Sequence, residues 1–327
     1  MSQFQTCPSP RTPAGVSRQL QLKQSACTAV PPLSQAYKDM IDAKLQGNKL
    51  GAKKIKAVFQ KNAIWPEKTT LNILFKDGEQ WQRSWVEKNV TEKLQSLVNL
   101  KFNFMNTFPN EIKPRVGPHL DILISFANPG AYSMVGTECR QFIAQRPGEA
   151  SMNLGWLDAP KPGQSFSYKG TSYTIPSDYD KRTFGFTNGA TVIHEFGHAL
   201  GMLHEHQNPR GKPIEWNKNA VWNSFCGPPN SWDWQTISTN VLDPLEIGTT
   251  NGSEFDPNSI MIYGFPGTMT LNMPEGTHMN SELSALDKEW LMKMYPITEP
   301  FELMSQNRSF IILLIIFLVL ISINKMS

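Results

Sequence analysis

His194-Glu195-Phe196-Gly197-His198-Ala199-Leu200-Gly201-Met202-Leu203-His204-Glu205 reads H-E-x-x-H-x-x-G-x-x-H-E. His194 and His198 are four apart, so on a helix they share one face, one turn apart. Both rings then reach one ion, at the Zn–N distance of about 2.0–2.1 Å. Glu195 sits beside the first ligand and can address a water there without binding the metal. A straight helix presents a third ligand badly. Gly201 removes that difficulty, because glycine accepts the left-handed conformation that ends a helix. The chain then turns and His204 returns towards the ion. Three protein ligands leave a position open, the arrangement of a catalytic rather than a structural zinc. A lone H-E-x-x-H arises by chance or on a solvated helix face. Here the glycine and the third histidine also stand at the required offsets, and four of the six histidines fall within residues 194–206.

The spacing resembles the metzincin zinc motif, which is accompanied downstream by a methionine-containing turn, the Met-turn. Ser259-Ile260-Met261-Ile262-Tyr263 supplies that turn. Glu205 directly after the third histidine, and a tyrosine two residues after the turn methionine, resemble the astacin branch. Ile262 and Met202 depart from that branch, which usually has histidine and phenylalanine there; neither position is a metal ligand. The resemblance covers Trp65 to Pro296. It implies an α+β, metzincin-like two-lobe catalytic domain with a mixed twisted sheet, a zinc-binding helix and a Met-turn. It implies one catalytic Zn2+ on His194, His198 and His204, with Glu195 as general base. Tyr263 would be a ligand that swings to stabilise the transition state, Met261 an apolar floor beneath the zinc, and Gly201 and Glu205 structural. The strand around Tyr132-Ser133-Met134-Val135 would be the sheet edge above the cleft, where Tyr132, Ser133 and Met134 hold a peptide as an added strand. The implied activity is zinc-dependent endopeptidase action on polypeptides. A gluzincin is disfavoured, because a histidine fills the third-ligand position.

The chain of 327 residues has 40% hydrophobic and 18% charged residues, ordinary values for a globular protein. A net charge of +3 gives no footing for a nucleic-acid partner. Of Cys7, Cys27, Cys139 and Cys226, the expected pair is Cys139–Cys226, with free thiols the standing alternative.

Residues 1–32 are rich in Pro, Ser, Gln and Thr, with three basic residues and no acidic one, and read as disordered. No signal peptide is visible in them. Residues 33–64 form a basic helical extension or pro-segment, with a helix over 34–46 and five lysines within 49–61. The catalytic domain runs 65–298. Strands are expected at Thr70–Phe75, Lys101–Met105, His119–Ala127, Ala131–Val135 and Ser151–Leu157. A long helix is expected over Glu79–Leu100, a loop over Pro160–Asp180 and a short helix at Asn217–Phe225. The zinc helix should run from Ala190 to Leu200, capped by Asn188 or Thr187, and a last helix from Leu283 to Met294, capped near Ser284. Structure between Phe225 and Asp256 should be irregular. A helix after the first strand and several strands beyond it suggest a mixed sheet.

Residues 309–324 carry no charge. As a C-terminal hydrophobic helix they would span roughly 24 Å, short of a ~30 Å hydrocarbon core but tolerable. They read as a membrane anchor, the side of the catalytic domain unresolved.

Overall fold

Phe59–Gln60 enters the fold as a short strand, β1, in a computed structural model that describes residues 59–105, 120–179, 186–211, 213–227, 230–252 and 254–297. The expected disordered segment, the 34–46 helix and the apolar tail lie outside these residues. Among the described residues no helix is long and apolar enough to cross a membrane.

Thr70–Phe75 forms β2, with Leu71, Ile73, Leu74 and Phe75 buried. Asp77 and Gly78 turn the chain, and Asp77 accepts hydrogen bonds from Ser125 Oγ and Phe126 N, both at 2.6 Å. The helix that follows, α1, covers Gln80–Lys93, shorter than the Glu79–Leu100 expected. Glu79 and Gln82 close a capping box at its start. Leu94 and Leu97 continue the apolar spacing, but in turns: Gln95 Nε2 donates to Leu100 O, and Asn99 N donates to Tyr295 O. The chain must reverse there to enter β3, Lys101–Met105, which runs parallel to β2.

The remaining sheet strands are shorter than expected. Strand β4 is Ile122–Ser125, β5 is Ala131–Ser133 and β6 is Met152–Leu154. An additional helix, α2 at Glu138–Gln145, lies between β5 and β6. The five-stranded sheet has the order β3-β2-β4-β6-β5. Its first three pairings are parallel and β5 joins antiparallel at the edge, so the sheet is mixed as expected. The supposed loop before residue 180 contains a hairpin, β7 (Ser165–Tyr168) and β8 (Thr171–Thr174). Its turn is Lys169-Gly170, both at positive φ, the geometry that suits a two-residue hairpin.

The zinc helix is α3, Ala190–Ala199, packed below the sheet against α1 and β5. Val192, Ile193, Phe196, Ala199 and Leu200 join the main core, with Phe196 meeting Phe102 edge to face at 6.1 Å. Beyond it come α4 (Lys218–Phe225), α5 (Trp234–Ile237), a π-helical turn at Ser238–Leu242 and strand β9, Thr250–Asn251. The segment expected to be irregular therefore carries helical turns and a strand. These elements build a second apolar cluster around Val221, Phe225, Val241, Tyr263 and Phe265. Strand β9 pairs antiparallel with β1. The final helix, α6 (Ala285–Met294), is capped by Ser284 as expected, through a box with Asp287.

One cysteine expectation is corrected. Cys139 is a free, buried thiol, donating to Met134 O at 3.2 Å. Cys226 is disulfide-bonded, so its partner is not the free Cys139.

Candidate metal centre

The amino end of α3 is not capped by Asn188 or Thr187. Gly189 is the cap residue, and Asn188 instead donates to Ser281 O and Glu282. The carboxylate comes from Asp158, whose Oδ2 accepts from Thr191 N at 3.0 Å and from the Thr191 hydroxyl. A negative group there complements the helix dipole.

The carboxyl end is held by one local donor and several remote ones. His198 O accepts from Gly136 N and Gly201 N, Ala199 O from Trp65 Nε1 at 2.7 Å, and Leu200 O from the Tyr295 hydroxyl at 2.7 Å. Gly201 O accepts from Gln60 N at 2.9 Å. The carbonyls that every helix end leaves unpaired are thus satisfied inside the protein. Gly201 has φ +96°, and a Cβ there would lie 2.8 Å from Ile64 Cδ1. Ile64 Cδ1 can shift aside, so it is the positive φ that calls for glycine here.

The turn brings His204 back to the helix. One ligand nitrogen each of His194, His198 and His204 lies within 4.8 Å of the others. His198 Nε2 and His204 Nε2 are 3.0 Å apart. His194 Nδ1 lies 2.8 Å from Ile260 O, and His198 Nδ1 lies 2.8 Å from Met202 O. A ring nitrogen facing a carbonyl carries the proton, which leaves both Nε2 atoms bare and turned to the common point. Burial pushes the His194 imidazole down to about 4 and that of His198 to about 3; His204 is lowered in the same way. Neutral imidazoles are the form that binds a metal. The donor set therefore fits a zinc ion.

Glu195 is 3% exposed, and its Oε2 has no hydrogen-bond partner among the described residues. Burial pushes its carboxyl up to about 8. Tyr263 lies over the group, its ring 4.3 Å from that of His204 and 5.9 Å from that of His194. Met261 packs beneath: a Cβ on Gly197 would meet its sulfur at 2.7 Å, so glycine at 197 lets the turn approach the helix. Glu205 is buried, its Oε1 accepting from Asn208 Nδ2 and Asp256 N, and its own N donates to Met261 O. Tyr132, Ser133 and Met134 are half-buried on or beside edge strand β5, which packs on α3.

A solved structure of myroilysin matches at 30% identity and a TM-score of 0.57, covering 74% of this chain and 100% of that one. The chain belongs to the astacin-like metzincins. This metzincin is a zinc metalloendopeptidase with one catalytic zinc and polypeptide substrates. A second myroilysin crystal structure matches at 29% identity, covering 75% of this chain and 100% of that chain, with a TM-score of 0.44. High choriolytic enzyme 1, a hatching enzyme zinc-protease from Oryzias latipes (medaka fish), matches at 14% identity. It covers 76% of this chain and 98% of its own, with a TM-score of 0.42. Neither of these two adds to the assignment. No protein-family model matches, and no curated protein does.

Sequence reasoning missed several residues that build this metzincin's site. His206 stacks on Tyr263 at 4.9 Å and meets Phe265 edge-on at 5.2 Å; its place two after His204 was a signal. Asp287 sits three residues after the cap Ser284, and that Ser-x-x-Asp spacing was also visible. Trp65, Asp158 and Tyr295 act over 134, 33 and 95 residues of sequence, where no local pattern points to them.

Proposed function

We propose that the enzyme cuts internal peptide bonds with Glu195 as the general base and Tyr263 as the donor to the oxyanion. His194, His198 and His204 would hold the zinc ion, which would supply a Lewis acid to polarise the scissile carbonyl and acidify a water. Glu195 Oε2 receives the proton of the attacking water and passes it to the departing amide nitrogen. The Tyr263 hydroxyl donates to the developing oxyanion from a ring already fixed against His204 and His206. The substrate main chain adds to β5 beside Tyr132, Ser133 and Met134, aligned by backbone hydrogen bonds.

The observation that carries this reading is the buried Oε2 of Glu195, which has no partner among the described residues and belongs to the residue that follows His194, one of three converging imidazoles. A native fold rarely leaves a buried carboxylate oxygen unsatisfied unless a ligand or reaction uses it. The test is Glu195→Gln. Casein hydrolysis should fall by about 10²–10⁴-fold, the usual range for such a base, with zinc content unchanged. Undiminished hydrolysis contradicts the assignment.

The charge-free run of residues 309–324 supports a further reading, that this tail attaches the enzyme to a membrane. The full chain would then pellet with lipid vesicles and a variant ending at Arg308 would stay in the supernatant; equal partitioning contradicts it.

A further inference from the structure

Asp287 lies on α6, far along the chain from the zinc motif, yet it is hydrogen-bonded to the Met-turn. It is 3% exposed. Its Oδ1 accepts from Ser259 Oγ at 2.8 Å, and its Oδ2 accepts from Ile260 N at 2.9 Å and Ser284 N at 3.0 Å. The Ser259 oxygen in turn accepts from Met261 N at 3.0 Å. That N–H belongs to the same peptide unit as the Ile260 carbonyl, and the carbonyl faces His194 Nδ1 at 2.8 Å. A continuous path therefore runs from carboxylate to hydroxyl to peptide to imidazole.

We propose that Asp287 is a positioning residue for His194, acting through the Ser259 hydroxyl and the 260–261 peptide. Metal-bound histidines commonly give their second ring proton to a carboxylate or a carbonyl, which fixes the tautomer and raises ligand basicity. Here the carbonyl does so, and the carboxylate stands behind it. Each donor in the path is polarised by the acceptor it meets, so the members strengthen one another. Oδ2 adds a direct hold on Ile260 N, and the two oxygens together fix both faces of the turn residue. The other side of the turn is tied to the third ligand, since Glu205 N, next to His204, donates to Met261 O at 3.1 Å. Asp287 thus sets where the turn sits, and the turn sets where the His194 lone pair points.

The proposal rests on His194 being a ligand. It is tested with Asp287→Asn and Ser259→Ala in the full chain, measuring zinc affinity by competition with a chromogenic chelator and the thermal midpoint of the metal-free protein. An asparagine keeps one oxygen for the two N–H groups but turns an amide donor towards Ser259, which reverses the path. Ser259→Ala removes the middle link and leaves the Asp287–Ile260 bond, so it serves where the asparagine variant does not fold. The zinc Kd should rise by about 10-fold or more in each, the lower range for such outer partners. The double variant should be no worse than the weaker single one, because both break one path. A Kd within twofold of the parent in the folded Ser259→Ala protein overturns the proposal, even where its midpoint falls, because that describes packing alone. His194→Ala is the control: undiminished zinc binding there would mean that the ligand reading, not the path, has failed.

Discussion

His198 Nε2 and His204 Nε2 stand 3.0 Å apart, held there by a helix on one side and a glycine turn on the other. Two bare imidazole nitrogens at this distance repel each other unless a cation lies between their lone pairs. Two nitrogens bound at about 2.0–2.1 Å to one tetrahedral ion would be roughly 3.3 Å apart, close to what is found. The spacing of these nitrogens thus matches the size of the ion.

Metal removal should therefore cost stability as well as activity. A ligand that binds only the folded state stabilises it by about 2.7 kcal/mol at 100 times its Kd. The thermal midpoint of chelator-treated protein should rise on adding zinc, and casein hydrolysis should return with it. An identical midpoint with and without zinc would count against the site.

Gly201→Ala should destabilise the protein by about 1–3 kcal/mol, the usual cost of a non-glycine residue forced into a sparsely populated backbone region. The φ of +96° resists a side chain, whereas the Ile64 Cδ1 end 2.8 Å away can move aside. Denaturant unfolding of the metal-free protein measures this. The variant should also bind zinc more weakly, since the turn that returns His204 is displaced. A loss below about 0.5 kcal/mol, the range of neutral surface changes, contradicts the role given to this turn.

Tyr295→Phe should cost about 1–3 kcal/mol, because it strands the buried carbonyl of Leu200. Urea unfolding reads the loss. The metal ligands are untouched by this change, so zinc stoichiometry should stay at one per chain. An unchanged unfolding midpoint would show that water replaces the hydroxyl.

The zinc helix was legible because its ligands repeat at helical spacing and its end is punctuated by Gly201; the structure bounds it at Ala190–Ala199. Strand β2 was legible from alternation. The hairpin of β7 and β8 was missed because Ser-Phe-Ser-Tyr and Thr-Ser-Tyr-Thr bury little, with Phe166 the one buried side chain; the Lys169-Gly170 turn was the available signal. Helix α1 stops before the apolar spacing does, since Leu94 is buried and Leu97 partly buried beyond its end, so apolar spacing alone does not mark where it ends. The acceptor Asp158 at one end of α3 and the donors Gly136, Trp65 and Tyr295 at the other are long-range partners, and no periodicity encodes them.

Cys139 should be inert in the folded protein. Burial pushes its thiol up to about 12, and the thiolate is the reactive form. At pH 8 about one thiol in ten thousand would be ionised, given that thiolate chemistry requires deprotonation. Iodoacetamide should leave Cys139 unmodified in native protein and alkylate it after denaturation, as read by peptide mass. Rapid native labelling would contradict the buried, unpaired thiol, and so would a Cys139–Cys226 cross-link.

Anomalous diffraction at the zinc absorption edge, on crystals grown with the metal, would show whether the three imidazoles share one ion. The expected result is one strong peak at about 2.0–2.1 Å from Nε2 of each of His194, His198 and His204. A zinc peak elsewhere, or one touching fewer than three of these rings, would contradict it.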